Sequence, residues 1–242
     1  MHHDNQRQSL LVDSLRAHMM KFSRPLSPAY GDTIGGRMLV AFIAVGVILF
    51  YSLRITFNVT GIRGMPVINL FFVIALLAAF LVAQTKFLRA STSDIGLRTY
   101  TDWTRQERLY FLQTVPAAIA LFIVLFREHL VALLEQHGVT GFVFFSVLTG
   151  FIWGVVQEFL YRGWLQTELT RRFGSIPGLL AANAVFTFGP LHLYYLFGSH
   201  SIQWGGLAAI FGIGLVFGVI YLKSGNLWFP AIFHGLWPLN MT

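Results

Sequence analysis

The chain has 242 residues, of which 55% are hydrophobic and 11% charged, with a mean hydropathy of +0.65. A soluble domain carries about 25% charged residues, so the deficit excludes an ordinary soluble domain, and the length suits one compact membrane-embedded unit. The absence of cysteine excludes disulfides and cysteine-ligated metals, and the net charge of +7 comes from basic residues scattered over loops, which argues against nucleic acid as a partner.

Residues 1–37 form a polar leader with no apolar core ahead of a small-residue cleavage site, so no cleavable signal peptide is expected. Within it, Asp13 to Phe22 has the pattern of a short amphipathic surface helix. Met38 to Tyr51, extended at lower hydrophobicity through Ile55 and Phe57, reads as a first membrane span, and Met65 to Ala83 as a second. Gln84 to Arg108 is polar, with Leu97, Tyr100 and Trp103 interleaved among basic residues, as in an interfacial segment with an aromatic anchor. Leu109 to Phe126 is the third span, with Pro116 suggesting a kink, and Arg127 to Gly138 is an amphipathic connector. Gly141 to about Tyr161 is the fourth, continuing as helix towards Arg171. Ile176 to Phe197, Ile202 to Leu222 and Leu227 to Leu239 complete the set; the last holds Pro230 and Pro238. The expected fold is therefore all-α, a polytopic membrane protein with about seven transmembrane helices plus short interfacial helices, since helices satisfy their own backbone in lipid.

Basic residues orient such a bundle. Fourteen fall in the leader and around the ends of even-numbered spans, against three in the other loops. The N-terminus is therefore expected in the cytoplasm and Thr242 on the far side.

Three stretches carry polar chemistry in apolar surroundings. In WGVVQEFLYRGW, Gln157 and Glu158 end a run with no ionisable residue from Gly141 to Val156, and Arg162 lies four residues beyond Glu158. An acid inside a membrane helix is costly and marks a functional site by default, although an i,i+4 ion pair could instead lock helices together. His192 stands in FTFGPLHLYY and His234 in FPAIFHGLW. A lone histidine on an apolar face is commonly a satisfied structural residue, but three such pieces in one chain point to a shared site: Gln157, Glu158, His192 and His234 lining one polar pocket between the fourth, fifth and seventh spans.

The order QEFLYRG, then FGPLH with Phe188 four residues before His192, then FHGLWP, resembles the EExxxR, FxxxH and HxxxN signature of the CAAX-protease and bacteriocin-processing family of intramembrane endopeptidases. The approach LVFGVIYLKSGNLWFPAIFHG and the segment DIGLRTYTDW resemble family features too, so that the resemblance covers roughly Asp94 to the C-terminus. It implies glutamate-dependent peptide hydrolysis: the first motif glutamate and the motif-two histidine, His192 here, activate water, and the last histidine, His234, with an asparagine stabilises the oxyanion. On this reading residues 1–37 are a cytoplasmic leader, 38–85 two N-terminal transmembrane helices, and 86–242 the intramembrane protease core. The partners implied are the lipid bilayer and a membrane-anchored peptide or protein substrate: a CAAX-like tail, a pheromone or bacteriocin precursor, or a C-terminal sorting tail. The expected location is a bacterial or archaeal cell membrane.

Two positions depart from the signature. Gln157 stands where the first glutamate belongs, and a neutral amide cannot act as a general base. Pro238 stands where the asparagine belongs, with Asn240 two residues late. Gln157 could be a deliberate Glu→Gln change, a natural substitution for which Glu158 compensates, or the mark of a natural pseudoprotease; the ~100° between adjacent residues on a helix disfavours compensation. Inactivity of the chain as written is the expectation. Two other functions remain in play: a non-catalytic immunity or peptide-binding membrane protein, and a small proton-coupled transporter using Glu158, His192 and His234, against which the lack of an internal repeat argues. Glu158, His192 and His234 are of types that bind zinc, but there is no HExxH and the resembled mechanism needs no metal, so neither metal nor other cofactor is expected.

Overall fold

The computed structural model describes residues 32–49, 65–197 and 202–236, and every regular element among them is helical. Helix α1 spans Asp32–Ala41 and continues in wider turns over Phe42–Leu49. Helix α2 spans Pro66–Val82; proline in its first turn costs nothing, since that N–H has no intrahelical partner. The chain then crosses the polar segment in two short turns, Thr92–Ile95 and Tyr100–Asp102. Helix α3, Arg105–Leu125, begins at a reciprocal cap, in which Thr104 Oγ1 accepts the Glu107 N–H at 3.2 Å and the Glu107 carboxylate accepts the Thr104 N–H at 2.6 Å. It continues through Pro116.

Helix α4, Arg127–Gly141, breaks direction at Gly138, whose φ of 65° lies in the left-handed region that glycine tolerates. Helix α5 follows without a gap through Phe142–Leu148, Thr149–Glu158, Phe159–Gln166 and Thr167–Phe173. The continuation past Tyr161 that the sequence suggests is thus present, and it carries Glu158 into the middle of the helix rather than to its end. Helix α6 spans Ser175–Phe188, α7 Leu193–Phe197, α8 Trp204–Ser224 and α9 Trp228–Leu236.

The fifth span departs from the sequence expectation. It is not one helix from Ile176 to Phe197: α6 stops at Phe188, and a single turn, Pro190–His192, precedes α7. The cause is Pro190, which drives the residue before it out of the helical region; Gly189 is extended, at φ −83° and ψ −171°. The amphipathic segment Asp13 to Phe22, the end of the first span, Pro238 and Asn240 lie outside the described residues.

Four of the described helical runs are long and apolar enough to cross a membrane: Pro66–Phe87, Arg105–Leu125, Arg127–Phe173 and Trp204–Ser224, with Gly35–Val45 and Ser175–Phe188 as shorter apolar helices. The molecule is an all-α integral membrane protein. Helix α5 is its centre. Side-chain pairs Phe72 with Trp153 and Phe80 with Trp164 run α2 parallel to α5. Phe42 against Tyr161, with Gly35 against Glu168, runs α1 antiparallel to it. Arg162 on Gly214 and Gln166 on Gly218 run α8 parallel. Lipid supplies no hydrophobic drive between helices, so such hydrogen bonds and close packing must hold the bundle. One example is fully buried Trp164, whose Nε1–H donates to Gln84 at 2.8 Å, while Gln84 donates to the Ser91 carbonyl.

Candidate active site

The site begins with a crossing of α5 and α9. A Cβ built on Gly154 would lie 2.5 Å from Gly235 N and 2.7 Å from Ala231 O, and one on Gly235 would lie 2.8 Å from Phe151 Cα. Only glycines allow these backbones to touch, as small residues do at membrane helix interfaces. One turn after Gly154 comes Glu158, and one residue before Gly235 comes His234, so the crossing delivers the two side chains to each other.

His234 Nδ1–H donates to Glu158 Oε1 at 2.6 Å, with Glu158 fully buried and His234 6% exposed. Arg162 Nε lies 3.3 Å from Glu158 Oε2. That contact is a charge pair without hydrogen-bond alignment, since Oε2 accepts no hydrogen bond among the described residues. The guanidinium has two further partners: Nη2–H donates to the Gly214 carbonyl at 2.9 Å, and the cation sits 4.4 Å above the Phe186 ring. A buried carboxylate flanked by a histidine and an arginine is the kind of pairing that makes an intramembrane charge tolerable.

His192 reaches the same place by another route. Its ring packs edge-on to Phe186 at 4.9 Å, and His234 does so at 5.8 Å, so one phenyl ring touches both histidines and the arginine. His192 Nδ1–H donates to the Phe186 carbonyl at 2.8 Å. Of the residues singled out in the sequence, Glu158, Arg162 and His234 are in direct contact, and His192 joins them through Phe186. Gln157 is half-buried on α5, and its side chain makes no hydrogen bond among the described residues. Phe188 of the second motif points away from the histidines, 46% exposed and against Phe211.

Sequence reasoning missed Phe186 and the residues that brace the site. Gln166 Nε2–H donates to the Gly218 carbonyl at 2.9 Å, and the Thr167 hydroxyl is 2.8 Å from Tyr221 Oη, which in turn donates to the Ile95 carbonyl. Arg162, Gln166 and Thr167 thus pair with Gly214, Gly218 and Tyr221, stitching α5 to α8. Asn183 Nδ2–H donates to the Phe211 carbonyl at 3.0 Å, tying α6 to α8. The four-residue steps of 162 to 166 and 214 to 218 were a readable signal, since polar side chains facing small residues are a membrane packing pattern. The base of α9 is held by the polar segment: Leu227 N–H donates to Gly96 O, and Trp228 Nε1–H to Arg98 O, both at 2.9 Å. Trp103 of that segment, read with Leu97 and Tyr100 as part of an interfacial stretch with an aromatic anchor, is buried and stacked on Phe229 at 5.7 Å. An open concavity between Val124 and Glu135, at the α3–α4 corner, contains none of these residues. No group of three histidine, aspartate or glutamate side chains is arranged to hold a metal among the described residues.

The geometry has a counterpart among known families. Residues 139–239, which hold Gln157, Glu158, Arg162, His192 and His234, match the family model described as type II CAAX prenyl endopeptidase Rce1-like. The match starts later than the Asp94 suggested by the resemblance. No curated protein and no solved structure matches the chain. Over residues 139–239 the chain is thus similar to type II CAAX prenyl endopeptidases, a match that covers less than half of its 242 residues.

Proposed function

We propose that the protein is an intramembrane endopeptidase that cuts a peptide bond near a lipidated or hydrophobic anchor, and that Gln157 leaves the chain as written with little activity. The observation that carries this reading is the buried hydrogen bond from His234 to Glu158, with His192 against the same Phe186 ring. Amide hydrolysis needs a base for water and donors where the oxyanion develops. His192 can serve as the base through Nε2, because Nδ1 carries the proton donated to Phe186 O. Water adds to the carbonyl carbon as its proton passes to His192. A His234 ring carrying a proton on each nitrogen would donate Nδ1–H to Glu158 and Nε2–H to the oxyanion. Collapse of the adduct breaks the C–N bond, and the proton held by His192 passes to the departing amine. Glu158 is then an orienting group for His234, as carboxylates are for histidines in other hydrolases. Glutamate at position 157 would add the carboxylate base that the family signature has there, which the neutral amide of Gln157 cannot supply.

The reading makes the substrate an extended, membrane-tethered tail. The test is Gln157→Glu protein in liposomes with two peptides, one ending in a prenylated CAAX sequence and one tethered by an apolar helix, with products identified by mass. Cleavage beside either anchor is the expected result. Intact peptides in both cases would favour the second reading, a non-catalytic peptide-binding protein, which Gln157 itself supports. The family match lends nothing to a transporter.

A further inference from the structure

We propose that Pro190 is a positioning residue for His192: by lacking an N–H it leaves the Phe186 carbonyl to the His192 ring, and this fixes the tautomer whose Nε2 carries the lone pair. The catalytic consequence rests on the endopeptidase reading; the tautomer itself does not.

In an α-helix the carbonyl of residue i accepts the N–H of residue i+4. For Phe186 that donor would be residue 190, and proline has none. Phe186 is 4% exposed, so water is not a ready substitute, and a buried carbonyl needs a partner. The chain supplies one two residues later. Extended Gly189 turns the backbone out of α6, and the turn closes with His192 N–H donating to Gly189 O at 3.1 Å. This folds the imidazole back so that Nδ1 meets Phe186 O at 2.8 Å. A carbonyl oxygen only accepts, so the proton is on Nδ1, and in the neutral ring Nε2 holds the lone pair. A histidine without such an acceptor favours the opposite tautomer in water, with its proton on Nε2, where the ring could not take a proton from a water facing that nitrogen. The Phe186 ring, edge-on to His192 at 4.9 Å, also opposes rotation of the imidazole, so one residue holds it by both carbonyl and side chain. Pro190 thereby does two things: it ends α6 and it converts an ordinary helix carbonyl into the acceptor that sets the base.

The measurement is ¹⁵N NMR of histidine-labelled protein in detergent, at a pH where His192 is neutral, with its signals assigned by their loss in His192→Asn. The unaltered chain should show His192 protonated on Nδ1. Pro190→Ala restores an N–H that competes for Phe186 O, and should move His192 wholly or partly to the Nε2–H tautomer. In the Gln157→Glu background, Pro190→Ala should lower kcat roughly 10²–10⁴-fold, the usual worth of a general base, with KM within about twofold, as for a group acting in the transition state. Protonation on Nε2 in the unaltered chain would overturn the proposal, and so would Pro190→Ala with the tautomer unchanged. The measurement on the unaltered chain decides the matter even if Pro190→Ala does not fold. Absence of cleavage in every variant would sink the endopeptidase reading and leave the tautomer result standing.

Discussion

At the scale of single residues, the site is a problem of burying charge. Glu158 and Arg162 are 0% and 2% exposed, and each is compensated by more than the other. Removing one partner leaves an uncompensated charge, which costs about 3–5 kcal/mol for a buried pair, whereas removing both costs less than the sum. Glu158→Ala and Arg162→Ala should therefore each destabilise strongly, and the double variant should fall well short of additivity when unfolding is followed in detergent. Losses that simply add would mean that the two act independently. Glu158→Gln is the gentler probe: it keeps an acceptor for His234 Nδ1–H but weakens the charge-assisted bond. It should lower turnover in the Gln157→Glu background more than it lowers stability. Glu158, Arg162, His192 and His234 were all legible in the sequence, because ionisable groups stand out against an apolar background. Phe186 was not, since nothing distinguishes one phenylalanine among 24 until the fold shows which ring touches two histidines.

At the scale of helices, the decisive contact is the crossing of α5 and α9 at Gly154 and Gly235. A side chain at either position would meet backbone, which cannot give way as a flexible side chain can. Gly154→Ala should force the helices apart, cost about 1–3 kcal/mol as overpacking does, and separate His234 from Glu158. Gly212→Ala is the control: its Cβ would meet nothing within 4 Å, and neither melting temperature nor turnover should fall. A Gly154→Ala protein as stable and active as the parent would remove the crossing from the account. The first half of α5 was readable from hydrophobicity, because no ionisable residue interrupts Gly141 to Val156. The end of α6 was hidden by the same property. Apolar residues continue from Ile176 past Pro190 to Phe197, and hydropathy does not register a missing N–H. The signal was Gly189-Pro190 itself, a breaker pair that a motif reading of FGPLH passed over.

At the scale of the whole molecule, charge is polarised along the bundle. The start of α1, the ends of α2, α5 and α8 and the polar segment share one end, and there lie Arg37, Lys86, Arg89, Arg98, Arg105, Arg171, Arg172 and Lys223. At the opposite end the described basic residue is Arg127, beside Glu128. By the positive-inside rule we propose that the basic end faces the cytoplasm. A cysteine placed at Ser93 should thus be labelled by a membrane-impermeant reagent only after cells are opened, and one placed at Gln136 in intact cells. The reverse pattern would invert the orientation. The bundle also explains why the segment before α3 is more than an interfacial linker: through Ile95, Gly96 and Arg98 it holds Tyr221, Leu227 and Trp228, and so the base of the helix that carries His234. Those are backbone carbonyls, and a carbonyl acceptor leaves no mark in a sequence.

The central claim is that a peptide bond is hydrolysed inside this bundle by His192, with position 157 controlling the rate. Single-turnover cleavage of an anchored peptide should be compared in liposomes for the unaltered chain, Gln157→Glu, and Gln157→Glu combined with His192→Ala. The account predicts that Gln157→Glu cleaves roughly 10²–10⁴-fold faster than the unaltered chain, in line with the worth of a general base, and that His192→Ala abolishes the gain. Robust cleavage by the unaltered chain that persists when His192→Ala is introduced into it would contradict the claim.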